Sequence, residues 1–271
     1  MTTAKPVALV TGASSGIGRA AALALVDAGF EVVGTSRNTA GVAPLDGVTF
    51  LDLDVTSDES VSRVVGRVIE RFGRIDVLVN NAGTGAAGAA EESSVAQDQR
   101  VFDINFFGLV RMTKAILPHM RTAGKGRIIN ISSVLGLVPA PYMASYAATK
   151  HAIEGYSESV DHEVREHGIR VLLVEPAYTR TGFDAKAIQP DGPLPIYAEQ
   201  RTVFDGVMAR AMADGDDPAI VARAIVAAAT DRKPKLRYTA GPTAGRVSAL
   251  RRFVPTRVFD RQIRKLNRLP A

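Results

Sequence analysis

The chain has no cysteine, which excludes a disulfide scaffold, a thiolate metal site and a cysteine nucleophile together. It also lacks any uninterrupted apolar run approaching the roughly 18 residues of a membrane span. The N-terminus, "MTTAKPVALVTG", has no separate apolar region ahead of a cleavage site; its short apolar run flows straight into a glycine motif. A cytoplasmic location is the expectation. Acidic residues are nearly missing from one end. Residues 232–271 hold 12 Lys or Arg and a single acid, Asp260, which leaves 21 basic against 27 acidic residues elsewhere. The net charge of +5 is therefore a property of the tail, few aromatics interleave with it, and no nucleic-acid partner is expected.

What remains is a 271-residue chain, 46% hydrophobic, long enough to bury a large core as one domain. Short β-branched runs alternate with longer amphipathic stretches, the order of a parallel sheet with crossover helices. The predicted strands are 6–10, 31–36, 48–53, 75–80, 126–132, 169–175 and 236–240. Several are hydrophobic throughout, as strands covered on both faces are. Helices are expected in every gap. The third begins in a capping box formed by Thr56 and Glu59, followed by Val61, Val64, Val65 and Val68 at helical spacing. A Pro- and Gly-rich stretch near 180–200 has no obvious element and is read as a lid or insertion.

"VALVTGASSGIGRAAALAL" sets a strand, then Gly12, Gly16 and Gly18, then a helix of small residues. Glycines in that place allow a tight turn and close approach of backbone to a diphosphate, which the helix N-terminus then faces. The spacing differs from the usual G-x-G-x-x-G. At the end of the second strand, where an NAD site has an acid, the chain reads "GTSRN"; Arg37 there favours a 2′-phosphate and hence NADP(H) over NAD(H). Asp54 and Val55 follow the third strand, and Asn80, Asn81, Ala82 and Gly83 the fourth, all at the sheet edge where open α/β folds bind ligands.

In "YMASYAATK", Tyr146 and Lys150 share a helix face, with Tyr142 one turn earlier. An ammonium beside a phenol favours the phenolate, so Lys150 is expected to lower the pKa of Tyr146 and make it an acid/base. Tyr142 has no such cation. Ser133, 13 residues upstream at a strand end, is placed to bond a substrate carbonyl.

These motifs in order, "TGASSGIG", Asp54-Val55, "NNAG", Asn105 in "DINFFG", "SS" before "YAATK", and "EPAYTRT", resemble the classical short-chain dehydrogenase/reductase family over about residues 5–185. The resemblance implies a doubly wound Rossmann fold with a parallel sheet of about seven strands. It implies a catalytic tetrad of Asn105, Ser133, Tyr146 and Lys150, with Asn105 holding a relay water and Lys150 also bonding the nicotinamide ribose. Gly12, Ser14, Ser15, Gly16, Ile17, Gly18, Arg37, Asp54, Val55, Asn81, Ala82, Gly83, Tyr146, Lys150, Pro176, Thr179 and Thr181 are the implied cofactor residues; no metal is implied. A homodimer or homotetramer, packed through the helices bearing Asn105 and Tyr146, is also implied. Ala177 departs from the family's Pro-Gly and puts in doubt any conformation there that needs glycine.

Residues 181–217 would form a substrate lid whose Phe183, Ile188, Leu194, Ile196, Tyr197, Val203, Phe204 and Met208 either line a hydrophobic substrate site or pack the lid onto the body. The tail, 245–271, is expected to form a basic amphipathic helix after Pro255. It has three readings: docking on the acidic body or another subunit, an anionic membrane surface, or a disordered end. The whole points to an oxidoreductase moving a hydride between NADP(H) and a hydrophobic carbonyl or secondary alcohol. A catalytically silent cofactor sensor, an NAD-dependent alcohol dehydrogenase and a sugar-nucleotide epimerase are the rivals.

Overall fold

In the computed structural model, which describes residues 5–269, all seven predicted strands are present, their ends displaced by at most two residues. They are β1 (Val7–Val10), β2 (Glu31–Ser36), β3 (Val48–Asp52), β4 (Val77–Asn80), β5 (Gly126–Ile131), β6 (Ile169–Pro176) and β7 (Arg237–Ala240). They form one parallel sheet in the order β3-β2-β1-β4-β5-β6-β7. The helices are α1 (Gly16–Asp27), α2 (Asp58–Phe72), α3 (Val95–Phe102), α4 (Gly108–Ala123), α5 (Ala144–Val164), α6 (Ala198–Ala213), α7 (Pro218–Thr230), α8 (Pro242–Phe253) and α9 (Thr256–Leu266).

Because side chains alternate across a strand, each strand serves two cores. Ala8, Val10, Val32, Val79, Ile129, Leu172 and Val174 pack under α1 and α7. Leu9, Val33, Leu78, Ile128 and Val171 pack on the other face under α2, α4 and α5, where Val61, Val64, Val65 and Val68 of α2 meet Met112 and Ile116 of α4. Each such Val, Leu, Ile or Met side chain contributes about 1.5–3 kcal/mol through burial.

Three local expectations are corrected. The β2–β3 connection, 37–47, contains no helix, so the helix after β3 is the second and not the third. That helix is capped by Ser57, whose side chain accepts from Ser60 N, rather than by Thr56. Thr56 N donates to Asp54 Oδ1 at 2.9 Å and its hydroxyl donates to the same oxygen at 2.7 Å, so the Thr56 side chain is turned back to Asp54 and away from the first turn of the helix. Tyr142 does not lie on the helix of Tyr146: α5 starts at Ala144, Met143 is its cap, and Tyr142 has φ +62°, a conformation that carries strain for a bulky residue. Its carbonyl accepts from Gly88 N at 2.8 Å, and its ring packs on Phe204 and Tyr197.

The helix after Pro255 is present as α9. Its Asp260, Ile263 and Arg264, with Leu269 beyond, face Pro139–Pro141, Ala144, Ala147, Ala148 and His151 across a cleft. Arg251 of α8 donates to Leu137 O at 3.1 Å. The tail thus lies along the body, against a proline- and alanine-rich wall rather than an acidic one. No helix among the described residues is long and apolar enough to cross a membrane.

Asp161, near the end of α5, is wholly buried and ties that helix to β6: it accepts from Arg170 Nε at 2.8 Å and Val171 N at 2.9 Å and pairs with Arg165. Burial pushes its carboxyl up, but the bonds from Arg170, Arg165 and Val171 outweigh burial and hold it below the ordinary carboxylate range. Its stabilisation is present above the ordinary pKa near 3.9 and is lost as pH falls through the lowered value. Asp161→Ala, which leaves the arginines facing an unfilled site, is expected to cost about 3 kcal/mol in urea unfolding at neutral pH, and less as the pH falls through the lowered carboxyl value.

Candidate active site

The chain leaves β1 at Thr11, a buried residue whose hydroxyl accepts from both Asn81 N and Ala82 N at 2.9 Å. Asn81 answers across the same gap, its Nδ2 donating to Thr11 O at 2.9 Å and Gly12 O at 3.1 Å. Gly12 (φ +67°) and Gly16 (φ +54°) adopt left-handed backbone, which costs an L side chain about 1–2 kcal/mol. A Cβ on Gly18 would lie 2.2 Å from Gly12 O. The loop is therefore drawn tight between β1, β4 and α1, with Ser14 and Ser15 on its outer turn and Ile17 packed into the core below. Ser15 caps α1 with no side-chain bond, and no acid lies in the first turn, so the helix N-terminus presents its N–H groups to an anion.

At the end of β2, Arg37 is exposed and has no ion pair among the described residues. The nearby carboxylates are engaged. Asp52 accepts from Thr39 N and Oγ1, both at 2.7 Å, and Asp54 from Thr56; these bonds hold both carboxyls below the ordinary range. No acid stands at the end of β2 to meet ribose hydroxyls. Val55 is buried against Gly108. A Cβ on Gly83 would lie 3.1 Å from Asn105 Oδ1.

Ser133, Tyr146 and Lys150 are all buried and converge beyond the carboxyl end of β5. Ser133 caps a single 3-10 turn, Val134–Gly136, its hydroxyl accepting from Leu135 N at 3.1 Å, and it also hydrogen-bonds the Tyr146 phenol. Lys150 Nζ donates to Ile131 O at 2.8 Å and stands 5.5 Å from the centre of the Tyr146 ring. The expected acidification of the phenol does not follow. Burial pushes Tyr146 far above its ordinary value, with only Ser133 working against it, and pushes Lys150 down to about 8, with Glu154 resisting. Desolvation outweighs the neighbouring charge because the ammonium is turned to a carbonyl and not to the phenol oxygen. Tyr146 is thus held protonated.

The sequence profile of the short chain dehydrogenases matches residues 6–191. The chain is 39% identical over 238 residues to a 3-ketodihydrosphingosine reductase of Bacteroides thetaiotaomicron, an alignment covering 87% of this chain and 88% of that one. It superposes with TM-score 0.83 on the crystal structure of a short-chain dehydrogenase from Streptomyces avermitilis, at 37% identity and 98% coverage of both chains. The chain belongs to the short-chain dehydrogenase family. It is an oxidoreductase with a site for a nicotinamide cofactor; among solved relatives, one structure holds NADP and another NAD.

Other details of this dehydrogenase were invisible in its sequence. Asn105 sits in a π-helical turn, Asp103–Phe107, between α3 and α4. Its Oδ1 accepts from Thr84 N at 2.7 Å, and its Nδ2 donates to Thr84 O at 2.9 Å and Thr149 Oγ1 at 3.3 Å. Its side chain thus ties the loop after β4 to α5. Thr149 in turn donates to Tyr146 O. A second chain runs under the site from Asn80 to Asn130 to Ser157, with bonds of 2.9 and 2.8 Å. Ala177 does not adopt left-handed backbone, so alanine replaces the family's glycine there without strain. Pro176 ends β6, Thr179 bridges to Asp216, and Thr181 sets its methyl against Gly16.

Within residues 181–217, several side chains pack beside Tyr146. Phe183 packs edge-on to Tyr146 at 5.8 Å, and Phe204 and Met208 join Met143 and Tyr146 in one apolar cluster. Ile188 pairs with the loop after β4 through Ala87 N and Gly85 O. Buried Glu92 accepts from Leu194 N at 2.7 Å and pairs with Arg201. Ile196 remains 80% exposed.

Proposed function

We propose that this dehydrogenase is an NADP(H)-dependent reductase of ketones carried on hydrophobic small molecules. The observation that carries the reading is the buried group of Ser133, Tyr146 and Lys150 beside a glycine cradle whose helix N-terminus is open to a diphosphate. The bound nicotinamide would supply the hydride. Ser133 would donate to the substrate carbonyl and fix its orientation, and Tyr146, protonated across neutral pH, would deliver the proton to the oxygen as charge develops there. Lys150 would stabilise the phenolate left behind and bond the nicotinamide ribose. Asn105 would join a water relay at its π turn, a place where such turns often serve function.

Gly12, Ser14, Ser15, Gly16, Ile17 and Gly18 would hold the diphosphate, Asp54 and Val55 the adenine side, Asn81, Ala82 and Gly83 the nicotinamide ribose side, and Pro176, Thr179 and Thr181 the nicotinamide amide. The lid's Phe183 and the Phe204 cluster support an apolar substrate, as does the ketone named in the Bacteroides relative. We also propose homodimer or homotetramer contacts on α4 and α5; on α5 the outward residues Gly155 and Ser159 are small and exposed.

Arg37 is the proposed 2′-phosphate group. Arg37→Ala should remove a charge-assisted bond worth about 1.5–3 kcal/mol, raising KM for NADPH by roughly 10- to 100-fold while leaving KM for NADH nearly unchanged. Steady-state kinetics with both nucleotides, on a ketone found by screening for NADPH oxidation, decides this; equal effects on the two would reject the assignment. A panel of ketones and quinones that elicits no NADPH oxidation would instead favour a silent cofactor sensor.

A further inference from the structure

Behind Lys150 lies a set of buried charges that the mechanism above does not use. Glu154 follows Lys150 by one turn of α5, Glu175 occupies the end of β6, and both are buried. One guanidinium serves them. Arg237 of β7 stands 3.1 Å from Glu154 Oε2, 3.1 Å from Glu175 Oε1 and 3.0 Å from Glu158 Oε1. Ser132, after the end of β5, lies beside Glu154 with its hydroxyl buried and without a hydrogen-bond partner among the described residues, and His162 acts on Glu158 from the next turn of α5. With Lys150, these are the charged and titratable groups facing the two glutamates from α5, β5, β6 and β7. Glu154 Oε1 and both oxygens of Glu175 are buried without a hydrogen-bond partner among the described residues.

Two carboxylates in one dry site with a single shared guanidinium cannot both remain charged, since like charges there favour retention of a proton by one of them. We propose that Glu154 and Glu175 share one proton at neutral pH and act as positioning residues for Lys150. Glu154 keeps the ammonium charged and aimed at Ile131, and Glu175 sets how much negative charge Glu154 carries. The trend of the individual groups agrees. Burial, with Glu154 adding to it and Arg237 opposing, pushes Glu175 up to about 7; burial likewise raises Glu154, and Glu154 is the group that resists the downward shift of Lys150. The pair behaves as one unit in titration. Only the consequence for catalysis rests on the role assigned to Lys150 above.

Infrared spectra of the full-length protein test the shared proton directly. A protonated-carboxyl stretching band should appear as pH falls through about 7, far above the range of ordinary carboxyls, and it should be lost in both Glu175→Gln and Glu154→Gln. Wild-type protein alone carries this measurement should a variant fail to fold, and absence of the band overturns the proposal. The lysine is followed by NMR of protein labelled at lysine Cε, with Lys150→Met identifying the resonance. Glu154→Gln should lower the Lys150 titration by about one pH unit, and Glu175→Gln should raise it, because Glu154 then holds its full charge. Shifts in the same direction would overturn the proposal, since a purely structural pair predicts no opposition. If the opposed shifts appear but the pH profile of ketone reduction does not follow them, the coupling stands and the catalytic role of Lys150 falls.

Discussion

Tyr146→Phe is expected to lower the turnover of ketone reduction by about a thousandfold while nucleotide affinity and folding stability stay close to wild type. The size follows from removing a positioned general acid, which contributes roughly 10²- to 10⁴-fold. Little else depends on that hydroxyl. Ser133 keeps its bond from Leu135 N, Phe183 and Met143 continue to pack on the ring, and one neutral hydrogen bond is lost at a cost of about 1 kcal/mol. Single-turnover oxidation of bound NADPH measures the chemistry, and nucleotide fluorescence titration measures the affinity. Turnover preserved to within a few fold would remove Tyr146 from the mechanism. The pH profile adds a sign. With the phenol protonated well beyond neutrality, its titration does not limit the rate. Lys150, pushed down to about 8, is charged below that value and loses its proton above it, so reduction should slow as pH rises through about 8.

Gly18→Ala should lower nucleotide affinity by roughly 10- to 100-fold. The added Cβ would sit 2.2 Å from Gly12 O and 2.5 Å from Asn81 Nδ2, and the first of these is backbone, which no rotamer change can move aside. Relief requires α1 to part from the loop, and that displaces Gly12 from its left-handed seat and Asn81 from the two carbonyls it holds. Overpacking of this kind costs about 1–3 kcal/mol or more, equivalent to roughly a 10- to 100-fold loss of affinity, together with a lower melting temperature. Gly66→Ala is the matched control. Gly66 lies inside α2 with nothing within 4 Å of its added Cβ, so alanine there should stabilise by up to about 1 kcal/mol through helix propensity and leave binding untouched. Equal effects at the two positions would show that the crowding at Gly18 is relieved elsewhere.

The sheet was legible because its strands are apolar on both sides, a pattern that few other structures produce, and the glycine loop because backbone conformation there demands a residue type. The spacing of Tyr146 and Lys150 was legible for the same geometric reason. What escaped depended on competition between neighbours. Thr56 and Ser57 are equally good caps on paper, and in the fold the Thr56 side chain turns back to Asp54 while Ser57 meets Ser60 N. Nothing in the residue type of Tyr142 announces a positive φ, so the start of α5 was set too early. The sign of the phenol shift was misjudged because burial cannot be seen in a spacing. The cluster behind Lys150 was hidden by an inversion on α5: Tyr146, Thr149, Lys150, Glu154, Ser157 and Asp161 are buried, whereas Ala148 and Gly155 are exposed. A polar stripe on a helix ordinarily marks the solvent side; here it marks the interior, and only the fold reveals it.

The strand order places β1 in the interior of the sheet, flanked by residues 31–36 on one side and 77–80 on the other. A ribosome must therefore release the chain through Asn81 before the nucleotide crevice has two walls. Until then the nascent glycine turn lacks the asparagine that braces it, and the first two strands pair without a finished nucleotide crevice between them and β4.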